Sequence, residues 1–406
     1  MLKGNMVIGQ SGGPTTVINS SLSGAVEAAL RSDCIDGVYG MRWGIEGFMQ
    51  EMLVDLKKEN PRAISNLRQT PSSILGSSRH KLQDEDFPII KRVLEKYNIR
   101  YFFLIGGNDS MDTINRVESY CADNGYELHG IGIPKTVDND LFGTDHTPGY
   151  PSAARYIALS VQQGGRLARD MQKVDQYVIY QAVGRDSGWL AASAVAAKKR
   201  EQDPPHILLM PERAFDKDKF LDKVEECYQK YGFCSISCGE GVSYEDGTPI
   251  SASATTDKFG NVEFGAMGGT SAAMMLHKMI GDRFEGQRGE FQVVESLQMC
   301  GSDRASCLDL EEAYLCGQRA IELAGEGKTG LMVSLLRGVT NGAYCTELGV
   351  ADLADVAVQA KPMPDEYIDD SGMFVTQAFI DYLKPLVGEF PEFADLANVP
   401  VQGVGS

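Results

Sequence analysis

What most restricts the fold of this chain is a handover that recurs along it. A short apolar run stops at or near a glycine, a polar loop follows, and a stretch with apolar residues at helical spacing begins. MVIG (6–9) runs into QSGGPTT and then VINSSLSGAVEAALRS (17–32). FPIIKRVLEKYN (87–98) leads into the buried run IRYFFLIGG (99–107), and that into SMDTINRVESYCADNG (110–125). The alternation continues through LHGIGIPKT (128–136), YPSAARYIALSVQQGGRLARDM (150–171), QYVIYQAVG (176–184) and SGWLAASAVAAKKR (187–200). HILLMPE (206–212), DKDKFLDKVEECYQKYG (216–232) and FCSISCGEG (233–241) extend it further. Continuous apolar runs alternating with helical patterns predict mainly parallel strands covered by helices on both faces. At 406 residues the chain is too long for one ordinary core, so two doubly wound α/β domains are expected. Gly164 and Gly165 are expected to interrupt the 150–171 helix. The tail from DEYIDDSG onward carries no chemical signal.

Composition narrows the partners. A net charge of −18 argues against nucleic acid and anionic membrane surfaces. No apolar run is long enough to span a bilayer, and a strand begins almost at the first residue, so a cytoplasmic protein is expected. The nine cysteines show no paired spacing. Cys234 and Cys238 in FCSISC read as a buried strand rather than a metal clip, since a tetrahedral site needs four suitable ligands.

In sheets of this kind ligands sit beyond the carboxyl ends of the strands. Six loops there carry candidate chemistry, and each has a plain structural alternative. In QSGGPTT, Gly12 and Gly13 let backbone amides approach an anion at a helix N-terminus, or simply make a tight turn. LGSSR offers Gly76, two hydroxyls and Arg79, with His80 and Lys81 next: a polyphosphate clamp or a surface loop. GGNDS holds Gly107, Asn108, Asp109 and Ser110, a ligand loop or a set of helix caps. IPKTVDND places Lys135, Thr136, Asp138 and Asp140 just after a strand. A carboxylate beside a lysine and a phosphate clamp suits a general base for an attacking hydroxyl, against the alternative of a polar turn. VGRDSGW presents Val183, Gly184 and Arg185, the arginine suited to a transferring phosphoryl group or to a structural ion pair. Glu212 in MPER suits sugar hydroxyls or a cap.

GGPTTVIN, GSSR, GGNDS, PKTVDND, VGRDSG and MPE, with DHTPGYPSAARYI (145–157) and GLMVSLLRG (330–338), stand in the order found in phosphofructokinases. The chain resembles that family from about residue 5 to 345, most closely its pyrophosphate-dependent members. The resemblance implies two Rossmann-like three-layer domains. Residues 1–141 plus 298–345 would bind pyrophosphate and Mg²⁺, and residues 142–297 plus 346–406 the sugar phosphate. It implies reversible phosphoryl transfer from pyrophosphate to the 1-hydroxyl of fructose 6-phosphate. Asp138 would be the base, with Thr136 and Gly13 at the reacting phosphoryl and Arg185 stabilising its charge. Gly12, Arg79, Gly107, Asp109, Ser110 and Lys135 would hold pyrophosphate. Val183, Gly184, Glu212 and Arg304 would hold the sugar phosphate, and Asn108 and Asp140 the metal. A homodimer or homotetramer is implied, with part of the sugar site shared between subunits.

The resemblance also speaks to the donor. ATP users have glycine at Asp109 and at Lys135. An aspartate there excludes a nucleotide by bulk and charge, and the lysine reaches the donor phosphates. Departures fall elsewhere. Asn108 replaces the usual aspartate near Mg²⁺. Gln176, Ser296 and Met299 stand where relatives place groups for the sugar 6-phosphate, with Arg304 a few residues on as a substitute. Sedoheptulose 7-phosphate therefore stays open as an acceptor. An ATP-dependent kinase of the same fold and a non-catalytic, sugar-phosphate-binding regulatory subunit stay open as alternatives.

Overall fold

The computed structural model describes residues 2–251 and 270–401. The first half of the chain builds a sheet from β1 (Gly4–Gln10), β2 (Ile35–Met41), β3 (Leu53–Asp55), β4 (Ile99–Gly106) and β5 (His129–Pro134). A second sheet follows, from β6 (Tyr177–Ala182), β7 (Ile207–Leu209), β8 (Cys234–Gly239) and β9 (Gly289–Val293). The chain then returns to the first sheet with β10 (Leu331–Thr340) and β11 (Ala343–Asp352). The strand order is β11-β10-β5-β4-β1-β2-β3 in one sheet and β7-β8-β6-β9 in the other. The second sheet is parallel throughout, and the first is parallel except at its β2–β3 and β10–β11 margins.

The apolar runs explain the layering. Successive residues of a strand face opposite sides, so a run apolar at every position needs cover on both. Met6, Ile8, Tyr101, Phe103 and Ile105 pack with Leu22 of the Ile18–Ala29 helix and Ala320 of the Cys307–Gly325 helix. Their neighbours Val7, Phe102 and Leu104 pack on the other side with Val93 and Ile114 of the Asp86–Lys96 and Asn108–Asp123 helices. The second sheet does the same. Tyr177, Ile179, Cys234, Ile236 and Cys238 pack with Phe220 and Leu276. Ala182 and Leu208 face a cluster containing Tyr150, Trp189 and Phe379. The strand reading of Cys234 and Cys238 is correct.

Three expectations are corrected. The helix spans Tyr150–Asp170 without a break. Gly164 and Gly165 are there for proximity: a Cβ would lie 2.8 Å from the Tyr180 ring and 2.2 Å from Pro204. The 187–200 helix is shorter than its pattern, Trp189–Ser193 followed by a tighter turn over Ala194–Ala197. It stops where the Lys198 ammonium turns to the carbonyls of Glu201 and Pro205, at 2.7 and 3.1 Å. The expected junction at 345/346 falls inside β11. Asn341 and Gly342 both have positive φ, which suits a two-residue hairpin turn. The strands then pair one to one from Thr340–Ala343 to Leu331–Asp352. The Leu353–Val358 helix follows and buries Leu353 and Val356 in the first unit.

Beyond that helix the chain crosses to the second unit. There the Gln377–Val387 helix packs Phe379, Tyr382 and Leu383 beside Trp189. Among the described residues no helix is long and apolar enough to cross a membrane.

Candidate active site

The carboxyl ends of β1, β4 and β5 in one unit and of β6 and β8 in the other open onto a shared cavity of about 870 Å³. From the first loop, Gly12 and Gly13 line it. Gly12 has φ +75°, and a Cβ there would sit 3.2 Å from the Lys135 ammonium. The loop is tied down on both sides. Ser11 donates its amide to the Ile105 carbonyl at 2.9 Å, and Ser77 donates its hydroxyl to the Gly12 carbonyl at 2.6 Å. Thr15 caps the next helix by accepting from the Ile18 amide at 3.0 Å. Arg79, His80 and Lys81 of the second loop line the same cavity.

Gly107 precedes the Asn108–Asp123 helix, so Asn108, Asp109 and Ser110 occupy its first turn. All four line the cavity. Gly106 is required by Ser110, whose hydroxyl would lie 2.0 Å from a Cβ. Asp109 is exposed and reaches across the mouth to Lys81 at 3.9 Å.

The loop after β5 supplies the centre. Lys135 is buried and donates to the Gly13 carbonyl at 3.0 Å. Desolvation draws its pKa down to about 8, against the opposing pull of Asp138 and Asp140. Thr136 accepts from the Asp138 amide at 3.1 Å. Asp138 has its pKa raised to about 7, first by desolvation, then by Asp140 and Glu240, with Lys135 and Arg185 pulling the other way. Desolvation also raises Asp140, with Lys361 and Lys135 moderating it. A carboxylate brought near neutrality between two cations is suited to taking a proton from a hydroxyl and holding it.

The second unit contributes Val183, Arg185, Asp186 and Ser187 to the wall, with Glu240. Gly184, at φ +126°, donates its amide to Glu240 at 3.3 Å. Val183 donates to the side-chain oxygen of Gln298 at 3.2 Å. Ser187 donates its hydroxyl to the Asp138 carbonyl at 3.1 Å, joining the two units at the base.

Two predicted sugar ligands lie elsewhere. Glu212 is not among the residues lining the cavity; it accepts from the Gly188 amide, at the start of the Trp189–Ser193 helix, at 2.8 Å. Arg304 is not among the residues lining the cavity; it donates to the Ser160 hydroxyl at 2.8 Å and covers the Tyr156 ring. Gln176 is engaged with the Arg288 backbone at the opposite end of β6, and Ser296 is exposed. Met299 does face the cavity, its methyl 2.8 Å from where a Gly13 Cβ would be.

Two charged residues of the wall, Glu240 and Lys361, come from segments that the sequence reading does not single out for chemistry. Glu240 follows β8 in SCGEG, a strand-end carboxylate of the kind that drew attention to Glu212. Lys361 stands in the C-terminal segment, where no local pattern marks it.

Oxygen donors suited to a hard cation are present. Asn108 and Asp140 line the cavity, and the buried Asn108 side-chain oxygen has no partner. His206, Cys227 and Cys234 also come within 4.8 Å of one another. They do not fit a metal. The Ser235 amide donates to His206 Nδ1 at 3.0 Å, so Nε2 carries the proton and faces the Gln202 carbonyl at 3.2 Å. No lone pair is left on the ring.

The family model described as phosphofructokinase matches residues 5–324. A pyrophosphate–fructose 6-phosphate 1-phosphotransferase from Halomonas elongata is 38% identical over 402 residues, covering 97% of this chain and 94% of its own. A sulfofructose kinase from Alkalicoccus urumqiensis is 31% identical, covering 94% and 95%. The crystal structure of a pyrophosphate-dependent phosphofructokinase from Marinobacter aquaeolei superposes with a TM-score of 0.86 at 36% identity, covering 97% and 94%.

Proposed function

Because the chain belongs to the phosphofructokinase family, we propose that its cavity transfers a phosphoryl group from pyrophosphate to the 1-hydroxyl of fructose 6-phosphate. It is a pyrophosphate-dependent phosphotransferase. The carrying observation is the stretch from Lys135 to Asp138: a cation against the Gly13 loop and, three residues on, a carboxylate raised to about 7.

In this reading pyrophosphate lies along Gly12, Gly13, Arg79, Gly107, Ser110 and Lys135, with Asp109 closing the space a nucleotide would need. The sugar lies against Val183, Gly184, Arg185 and Glu240. Asp138 takes the proton of the 1-hydroxyl as its oxygen bonds to the near phosphorus. The bridging P–O bond breaks, and orthophosphate leaves with the electron pair. Thr136 and Arg185 meet the charge that spreads over the transferring oxygens. Asn108 and Asp140 are the residues that would hold Mg²⁺, which would supply neutralisation of phosphate charge. The chain works in the cytoplasm as a homodimer or homotetramer.

A second acceptor has one observation in its favour. Met299 brings an apolar side chain to the wall, and Gln176 and Arg304 are engaged away from it. The terminal group of the sugar is then the open variable.

The test is initial rates with Mg²⁺, with pyrophosphate or ATP as sole donor. Fructose 6-phosphate, sedoheptulose 7-phosphate and 6-deoxy-6-sulfofructose serve in turn as acceptor. Pyrophosphate with fructose 6-phosphate should give the highest kcat/KM. A higher value with ATP overturns the donor reading; a higher value with another acceptor overturns the sugar reading. Asp138→Asn should lower kcat by about 10²–10⁴-fold, and a variant near the wild-type rate overturns the base.

A further inference from the structure

Asp138 and Asp140 both line the cavity, yet the residue between them is wholly buried. Asn139 has φ +56°, in the left-handed region. Asparagine tolerates that conformation better than most residues, but the turn persists only where its surroundings impose it. Here they do so through the side-chain amide. Asn139 donates to the Tyr382 hydroxyl at 3.0 Å, and its oxygen accepts from the Thr147 amide at 3.0 Å. Lys361 Nζ lies 3.4 Å from the same oxygen.

The grip comes largely from one late segment of the chain. Lys361 Nζ donates to the carbonyls of Asp145 at 2.7 Å and Thr144 at 3.1 Å, and its own amide donates to the Asp140 carbonyl at 2.7 Å. Ala360 forms a bridge with Leu141. Tyr382 donates its hydroxyl to the Asp145 carbonyl at 3.0 Å. The Trp189 ring, 5.3 Å from Lys361 Nζ, backs the ammonium. Of these residues Ala360, Lys361 and Tyr382 lie beyond 324, where the match to the family model ends.

The geometry points to Lys361, seconded by Tyr382, as a positioning residue that holds Asn139 left-handed and so aims the carboxylates of Asp138 and Asp140 together into the cavity. Its catalytic consequence rests on reading Asp138 as the base. Displacing a reacting group by about 1 Å can cost on the order of a hundredfold in rate. Lys361 borders the cavity, but its ammonium spends its hydrogen bonds on the carbonyls of Thr144 and Asp145, so its influence on rate runs through aim.

The experiment uses the full chain with Lys361→Met, Lys361→Arg and Tyr382→Phe. Two readouts are taken: kcat and KM with pyrophosphate and fructose 6-phosphate, and amide hydrogen exchange over 136–147. Lys361→Met should lower kcat roughly tenfold to a hundredfold, with both KM values within about threefold. Exchange over 136–147 should quicken while the strands of both sheets stay protected. Lys361→Arg, keeping a cation, should recover part of both effects. Tyr382→Phe should quicken the same stretch by less, and it carries the comparison if Lys361→Met does not fold. Unchanged kcat and exchange overturn the inference. So does faster exchange spread evenly over the second unit, which marks a merely structural role. If the wild-type chain is silent with pyrophosphate, the functional reading fails while the exchange comparison still decides the positioning.

Discussion

In the proposed mechanism two side chains set the working pH. Asp138, lifted to about 7 by desolvation and by Asp140 and Glu240, has to be ionised to accept a proton. Lys135, lowered to about 8 by desolvation, has to be charged to hold the donor. In the free enzyme kcat/KM should therefore rise as pH climbs through Asp138 and fall as it climbs through Lys135. Glu240→Gln removes one of the charges that raise Asp138, so the acid limb should move to lower pH while the alkaline limb stays. An acid limb that moves upward or not at all contradicts this electrostatic account. At this scale the cavity lining was legible in the sequence wherever its groups sit close together in the chain. Lys135, Thr136, Asp138 and Asp140 announce themselves within one loop. The reading failed for Lys361, whose meaning depends on what lies opposite after the chain has crossed between units. Glu212 and Glu240 share one local signature, a carboxylate after a strand. Which of them faces the cavity is decided by a helix N-terminus that claims Glu212, and no local pattern reveals that.

The elements were legible where burial made them so. β1, β4 and β8 are covered on both faces and read as continuous apolar runs. β10 and β11 form an exposed margin, with Val339 largely and Val350 about half in solvent, and their pattern blurs accordingly. The Asn341-Gly342 pair was a hairpin signal in plain view. Glycine inside a helix was the weakest guide. Gly24 and Gly317 sit where the Ile18–Ala29 and Cys307–Gly325 helices touch, each with a Cβ position 2.0 Å from the other helix's backbone. Gly317→Leu should push these helices apart and cost at least about 1–3 kcal/mol, as overpacking does. A urea midpoint that drops with an unchanged m-value would report that loss. An unchanged midpoint would mean the contact yields freely.

Across the whole molecule, a largely buried chain of charges ties the loop after β5 to the returning segment. His146 lies between Asp145 at 2.9 Å and Glu312 at 2.7 Å. Arg337 donates twice to Asp145, both at 3.0 Å, and Tyr344 donates to Glu312 at 2.9 Å. Burial alone would lower His146, but its hydrogen bonds to Asp145 and Glu312 outweigh that and raise it above 6.5. Its contribution to stability is thus fully present below about 6.5 and lost as pH rises through the folded value. Burial alone would raise Asp145, but His146 and Arg337 hold it below 3.8, so its share is present above that value and lost on acidification through the folded one. Thermal midpoints should fall on the alkaline side. His146→Gln should be less stable at pH 6, by about 3–5 kcal/mol as when one partner leaves a buried ion pair, and should flatten the alkaline decline. An undiminished decline would place the titration elsewhere. The sequence could not reveal this network, since His146 and Glu312 stand 166 residues apart.

The route of the chain has a consequence in time. Synthesis runs from the first residue, so Gly12, Arg79, Asp138 and Arg185 leave the ribosome long before Lys361 and Tyr382. Until then Asn139 lacks its grip, and Glu312, Arg337 and Tyr344 have no place beside His146. On that inference the nascent chain carries Asp138 and Asp140 before it can aim them, and the aim is set once the segment bearing Lys361 and Tyr382 has been made.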